Sequence, residues 1–168
     1  NSEILKNLMS ASEIKYFIDE TTHTIKKTRI IGNGQQIVRY DSEETSEKIF
    51  SDNAKQAMLD HAEVADMIII SDYAKGAVTE DLMNLLMHYK SKIIVDPKPR
   101  NKRLYKDVFI VTPNEKELKE MTLRENLYES GRLLRDELNS HILVTRGRNG
   151  MCLFAEGIVE IPTYAKEV

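Results

Sequence analysis

Ala65-Asp66-Met67-Ile68-Ile69-Ile70, then Thr79 to Tyr89 with Leu82, Leu85, Leu86 and Tyr89 at helical spacing, then Lys92-Ile93-Ile94-Val95-Asp96: this stretch decides the fold. The two apolar runs are short and nearly continuous, as strands covered on both faces are. The segment between them presents one apolar helical face. A strand, a helix and a second buried strand in that order form a right-handed crossover unit of a parallel sheet.

The same alternation extends both ways. Upstream, Ser46 to His61 places Phe50, Ala54, Ala57, Met58 and His61 at helical spacing, with Ser46 as a possible cap. Downstream, Val108-Phe109-Ile110-Val111 predicts a third strand, followed by a short helix from Asn114 and another over Asn126 to Leu138. His141-Ile142-Leu143-Val144-Thr145 predicts a fourth strand. Two regions break the pattern. Thr24 to Ile31 and Gln35 to Asp41, around Gly32-Asn33-Gly34, predict an antiparallel hairpin, and Met151 to Phe154 with Ile158 to Ile161 predict another. The expected architecture is α/β, a three-layer fold with a mostly parallel central sheet and an appended hairpin.

Composition narrows the function classes. The 168 residues suit one domain with a core of its own, and 41% hydrophobic with 30% charged residues describes a globular protein. No apolar run approaches the ~18 residues of a membrane span, and Asn1 to Ser10 carries no secretory signal pattern, so a cytoplasmic protein is expected. Cys152 stands alone, which excludes an intramolecular disulfide. A net charge of −3 without a basic stripe gives no footprint for nucleic acid. Small molecules are the expected ligands.

In parallel sheets, ligands bind beyond the carboxyl ends of the strands. Four polar segments fall there: Ser71-Asp72-Tyr73-Ala74-Lys75-Gly76, Asp96-Pro97-Lys98, Thr112-Pro113-Asn114-Glu115-Lys116-Glu117 and Thr145-Arg146-Gly147-Arg148-Asn149-Gly150. Asn114 opens a helix, whose unpaired amides favour an anion, and Glu117 one turn later could hold magnesium beside nucleotide phosphates. The same Asn-x-x-Glu spacing also suits an ordinary helix cap. Lys98, after a proline, could be aimed at a transferring phosphoryl group or could be a solvated surface charge. Asp72 and Lys75 could meet a substrate, or could cap a turn and sit at the surface. Gly147 and Gly150 allow close approach of a phosphate, and a strand-to-hairpin turn needs glycine in any case. There is no Walker A loop, dinucleotide fingerprint, His/Cys metal spacing or nucleophile elbow.

Taken in order, these four segments resemble those of the ribokinase/PfkB carbohydrate kinases. Lys27-Thr28-Arg29-Ile30-Ile31 and Gln35-Gln36-Ile37-Val38-Arg39-Tyr40-Asp41 resemble the hairpin of the heptose 7-phosphate kinase branch, and Pro162-Thr163 to Glu167-Val168 resembles that branch's approach to its catalytic loop. Gly34 departs from the branch, which usually has Asn there.

The resemblance implies a ribokinase-like fold and an ATP-dependent, Mg2+-assisted sugar kinase acting on the anomeric hydroxyl of heptose 7-phosphate in lipopolysaccharide core synthesis. It implies nucleotide contacts from Asn114, Glu115, Lys116, Glu117, Thr145, Gly147 and Gly150, magnesium at Glu117 and a phosphate contact from Lys98. Gln36, Arg39, Asp72 and Lys75 become candidates for the sugar phosphate, and residues 22–41 for a lid that also serves a homodimer. The family's opening strand is expected before Asn1, and its Gly-Ala-Gly-Asp loop with the catalytic aspartate after Val168. Residues 1–168 would then be a partial kinase domain, inactive by themselves. The alternatives are a related kinase for ribose, fructose or a sugar phosphate, and a non-catalytic sugar- or nucleotide-binding domain.

Overall fold

The computed structural model of the chain describes residues 2–9, 26–42 and 47–163. Six strands form one sheet in chain order: β3 (Ile68–Ser71), β4 (Ile93–Asp96), β5 (Ile110–Val111), β6 (His141–Thr145), β7 (Met151–Phe154) and β8 (Ile158–Ile161). The first four are parallel, and β7 and β8 continue the sheet antiparallel. Outside it, β1 (Lys26–Gly32) and β2 (Gln35–Ser42) form a separate antiparallel pair. The alternation of apolar runs and amphipathic helices thus produces the expected α/β arrangement.

Sheet order equal to chain order has a geometric consequence. Successive right-handed crossovers all pass over the same face, so α3 (Glu80–Leu85), α4 (Glu115–Thr122) and α5 (Leu127–Leu138) share one side. The buried cluster lies there, joining Ile70, Val95, Val111, Ile142 and Phe154 of the sheet to Met83, Leu118, Met121, Leu134 and Leu138 of the helices. Burial of each large side chain contributes about 1.5–3 kcal/mol. The alternate sheet residues are less covered. Ile69 is 73% exposed, and Ile94, Ile110, Leu143 and Leu153 are half-buried.

Several boundaries differ from the sequence expectation. The helix expected over Ser46 to His61 is α2 (Asp52–Val64), because Ser51 Oγ accepts the Ala54 N–H at 3.2 Å and starts the helix there. Phe50 therefore precedes it, and Ser46 lies outside the described residues. The helix expected over Thr79 to Tyr89 starts at Thr79, whose Oγ1 accepts the Leu82 N–H at 3.2 Å, but tightens into a 3-10 turn over Met87–Lys92 before the buried Ile93. The third strand is only Ile110–Val111, since Asp107 has φ +62° and Phe109 N bonds to Lys90 O. Two elements were not anticipated: α1 (Ser2–Met9) and a 3-10 segment over Pro99–Tyr105.

The hairpin turns through Asn33 (φ 51°) and Gly34 (φ 75°), the pair of positive φ angles that a tight two-residue hairpin turn requires. Its strands are exposed on both faces apart from Gly32 and Asp41. Residues 22–25 of the expected lid lie outside the described residues. Among the described residues, no helix is long and apolar enough to cross a membrane.

Candidate active site at the carboxyl edge of the sheet

Because β3 to β6 are parallel, their carboxyl ends open on one edge, and the four polar segments leave the sheet there. The centre of this edge is Lys98 and Glu117. Lys98 leaves β4 between Pro97 and Pro99, and its Nζ donates to Glu117 Oε1 on the first turn of α4. The other carboxylate oxygen of Glu117 accepts the Asn114 N–H at 3.1 Å, while Asn114 Oδ1 accepts the Glu117 N–H at 2.9 Å. This reciprocal capping box fixes the helix start and aims Glu117 back over it. The capping reading of Asn-x-x-Glu thus describes the geometry here, and it leaves the helix-start position and the carboxylate at the strand edge.

The pair is unequally buried. The Glu117 side chain is 11% exposed and that of Lys98 35%. The hydrogen bond to Glu117 holds the Lys98 ammonium above the ordinary lysine range, against desolvation, with Asp96 and Asp72 adding to the effect. Lys98 is a fixed positive charge at neutral pH.

The neighbouring strand ends are tied to this centre. Thr145 N donates to Pro113 O at 2.9 Å and pairs across to Asn114, so the β6 turn sits beside the start of α4. Arg146 bonds to Glu115 at 3.3 Å. Gly147 has φ +53° and open space where a Cβ would stand, so its backbone faces a clear approach. Gly150 differs: a Cβ there would lie 2.1 Å from Ile161 O, so packing against the end of β8 already requires glycine.

The remaining candidates stand apart in different ways. Lys116 points outward, with its side chain 85% exposed and Glu120 at 3.8 Å. Lys75 is half-buried on the loop after β3, where Ala74 (φ 52°) and Gly76 (φ 87°) turn the chain. Gln36 and Arg39 are on the separate hairpin, with Arg39 clamped to Asp41 at 2.6 and 2.8 Å. Asp72 is 2% exposed, and its carboxylate accepts from Ala74 N at 2.6 Å, Asn101 Nδ2 at 2.7 Å and Tyr105 Oη at 2.5 Å. Tyr105, Asn101 and Arg146 were not singled out from the sequence as site residues. Tyr105 and Asn101 belong to a 3-10 segment that carries no recognisable spacing, whereas Arg146 lies within the Thr145 to Gly150 turn, next to Gly147.

Among the described residues, no group of three or more His, Cys, Asp or Glu side chains could cage a metal ion. A single carboxylate at a helix start instead fits Mg2+ arriving on nucleotide phosphates and held through water, its usual mode beside phosphates. Glu117 meets that requirement, and Lys98 with the Glu115 and Lys116 amides, outside the capping box, meets the requirement for phosphate charge.

Comparison with known proteins agrees with this topology. The chain is 35% identical over 165 residues to the bifunctional protein HldE of Geobacter sulfurreducens, covering 89% of the chain and 34% of that protein. It is 36% identical over 168 residues to the bifunctional protein HldE of Shewanella amazonensis, covering 93% and 35%. The chain thus spans about a third of the length of these relatives. Among solved structures, the phosphofructokinase-2 of Escherichia coli superposes with a TM-score of 0.69 at 15% identity, over 98% of this chain and 59% of that one, a likeness of fold. The family model for pfkB family carbohydrate kinases matches residues 1–168, and the chain belongs to that family.

Proposed function

We propose that the chain is the nucleotide-binding portion of a cytoplasmic, ATP-dependent sugar kinase that phosphorylates heptose 7-phosphate at its anomeric hydroxyl, toward ADP-heptose for lipopolysaccharide core. The observation that carries the reading is the Lys98–Glu117 pair, which sets an ammonium and a carboxylate side by side at a helix start on the carboxyl edge of a parallel sheet. The heptose assignment rests on the hairpin and strand-end motifs and on the similarity to HldE proteins.

In this reading the α4 amides of Glu115 and Lys116, which the Asn114–Glu117 capping box does not use, and the turn at Thr145, Gly147 and Gly150 bind the nucleotide. Lys98 holds the transferring phosphate, and Glu117 holds magnesium through water. Bound magnesium offsets charge on the phosphates and helps orient them. Lys98 adds a preorganised positive charge that costs no reorganisation during transfer. Gln36 and Arg39 approach the sugar phosphate when the hairpin covers it, with Lys75 at the neighbouring loop. The hairpin's exposed Ile30, Val38 and Tyr40 lie on one face and form a homodimer contact.

Calorimetry with ATP, with and without magnesium, tests the nucleotide half of the proposal, and Lys98→Met should weaken ATP much more than ADP. Absence of nucleotide binding would refute the whole reading. The full-length protein is then assayed on heptose 7-phosphate, ribose, fructose and fructose 6-phosphate. Turnover on a different sugar, with heptose 7-phosphate inert, would refute the substrate alone. Val38→Asp should convert a dimer to a monomer in sedimentation, and a dimer unaffected by it would remove the hairpin contact.

A further inference from the structure

The backbone of Lys98 is unusually constrained. Pro97 and Pro99 flank it, and a residue before proline is confined to extended conformations, here φ −123° and ψ 135°. Tyr105 closes the arrangement. Its Oη accepts the Lys98 N–H at 3.0 Å and donates to Asp72 Oδ2 at 2.5 Å, with Lys98 O as a second, longer acceptor at 3.2 Å. Tyr105 is fully buried, as is Pro97. Asp72 is held by Ala74 N and Asn101 Nδ2, and its own N–H donates to Asp96 O at 3.0 Å. The network therefore joins the ends of β3 and β4 and the 3-10 segment around the backbone N–H and C=O of one residue, Lys98.

This arrangement explains why a carboxylate and a phenol are buried at the strand edge. Ala74 N, Asn101 Nδ2 and Tyr105 Oη all donate to the Asp72 carboxylate, leaving it engaged inward, and the buried phenol has a partner for both its proton and a lone pair. Burial and the Asp72 carboxylate push the phenol's pKa far above its ordinary value, so Tyr105 remains a donor at any working pH. A stack of apolar side chains would fill the same space. It would not set the direction in which Lys98 leaves the backbone.

We propose that Tyr105, anchored by Asp72 and Asn101, is a positioning residue that sets the Lys98 ammonium against Glu117 and the nucleotide phosphate. The inference rests on the reading that Lys98 meets a nucleotide phosphate. One of its two readouts is independent of that reading.

The test uses Tyr105→Phe in the full-length protein, a change that keeps the ring and removes only the hydroxyl. First, 13C relaxation of the Lys98 ε-methylene reports how firmly the ammonium is held. Its order parameter should fall in the variant, while that of exposed Lys116 stays constant. Second, the ratio of ATP to ADP affinity should fall ~10-fold with ADP affinity unchanged, the lower end of what a hydrogen bond to a charged group contributes. In a Lys98→Met background, Tyr105→Phe should leave the ratio unaltered. A Lys98 order parameter identical to wild type, or equal loss of ATP and ADP affinity, would make Tyr105 a merely structural residue and overturn the proposal. Should Tyr105→Phe fail to fold, Asn101→Ser at its half-buried position should give a smaller fall of the Lys98 order parameter, and no fall there counts against the proposal. If Lys98→Met leaves the wild-type ATP to ADP ratio untouched, the nucleotide reading fails, and the Lys98 relaxation still decides the positioning role.

Discussion

Replacing Glu117 with Gln isolates the ion pair from the cap. Gln is an accepted partner in a capping box, so its amide oxygen can still take the Asn114 N–H, whereas the Lys98 ammonium loses its counter-charge. The magnitude lies between two limits. Exposed ion pairs contribute about 0.2–1 kcal/mol, and removing one partner of a fully buried pair costs about 3–5 kcal/mol. Glu117 is nearly buried, but Lys98 at 35% exposure can turn to water and recover much of its solvation. The expected loss is therefore about 1–2 kcal/mol, near the lower limit. For a domain of this size each kcal/mol lowers Tm by about 2–4 °C.

The sign of the pH dependence follows from Lys98. Its folded pKa is raised above the ordinary lysine value of 10.5 by the bond to Glu117, so the pair's contribution is fully present below the unfolded value. It is lost as pH rises through the folded value. Chemical denaturation of wild type and Glu117→Gln, monitored by circular dichroism, should show a constant stability gap at neutral and mildly alkaline pH that closes above 10.5. Glu117→Ala should cost about 1 kcal/mol more, because the capping acceptor is then also lost. A Gln variant as stable as wild type, or a gap that stays open in strong alkali, would refute the assignment of this stability to the ion pair.

Other expectations follow from packing. In α5, Gly131→Ala should destabilise by about 1–3 kcal/mol despite alanine's better helix propensity, because the new Cβ would meet the Phe154 ring at 2.3 Å; thermal melting checks it. Gly150→Ala should cost more than Gly147→Ala in the same assay: both have positive φ, but only at Gly150 does the Cβ strike backbone, at 2.1 Å from Ile161 O. Burial raises the pKa of the Cys152 thiol, so it should resist a thiol reagent in the native protein at neutral pH and react on denaturation. Rapid native labelling would contradict that burial.

The local patterns carried the fold a long way. Ile68 to Ile70, Ile93 to Val95 and Ile142 to Val144 are recognisable as strands because they are short, rich in β-branched residues and followed by turn signals, and the helices between them require parallel crossovers. That inference alone placed Lys98, Asn114, Glu117 and Gly147 at one edge. Asn33-Gly34 and the Asn114 cap were legible too, since each is a local contract between a side chain and its own backbone. Contacts between distant segments had no such signature. Lys98 meets Glu117 across 19 positions, and Tyr105 meets Asp72 across 33. Sequence spacing reports only neighbours on one helix or strand, so it could not show that Asp72 turns inward while Lys98 is held against Glu117. Nor could it separate Gly147, which faces open space, from Gly150, which is crowded by β8. Both glycines satisfy the same turn rule, and only the packing of one strand end against another distinguishes them.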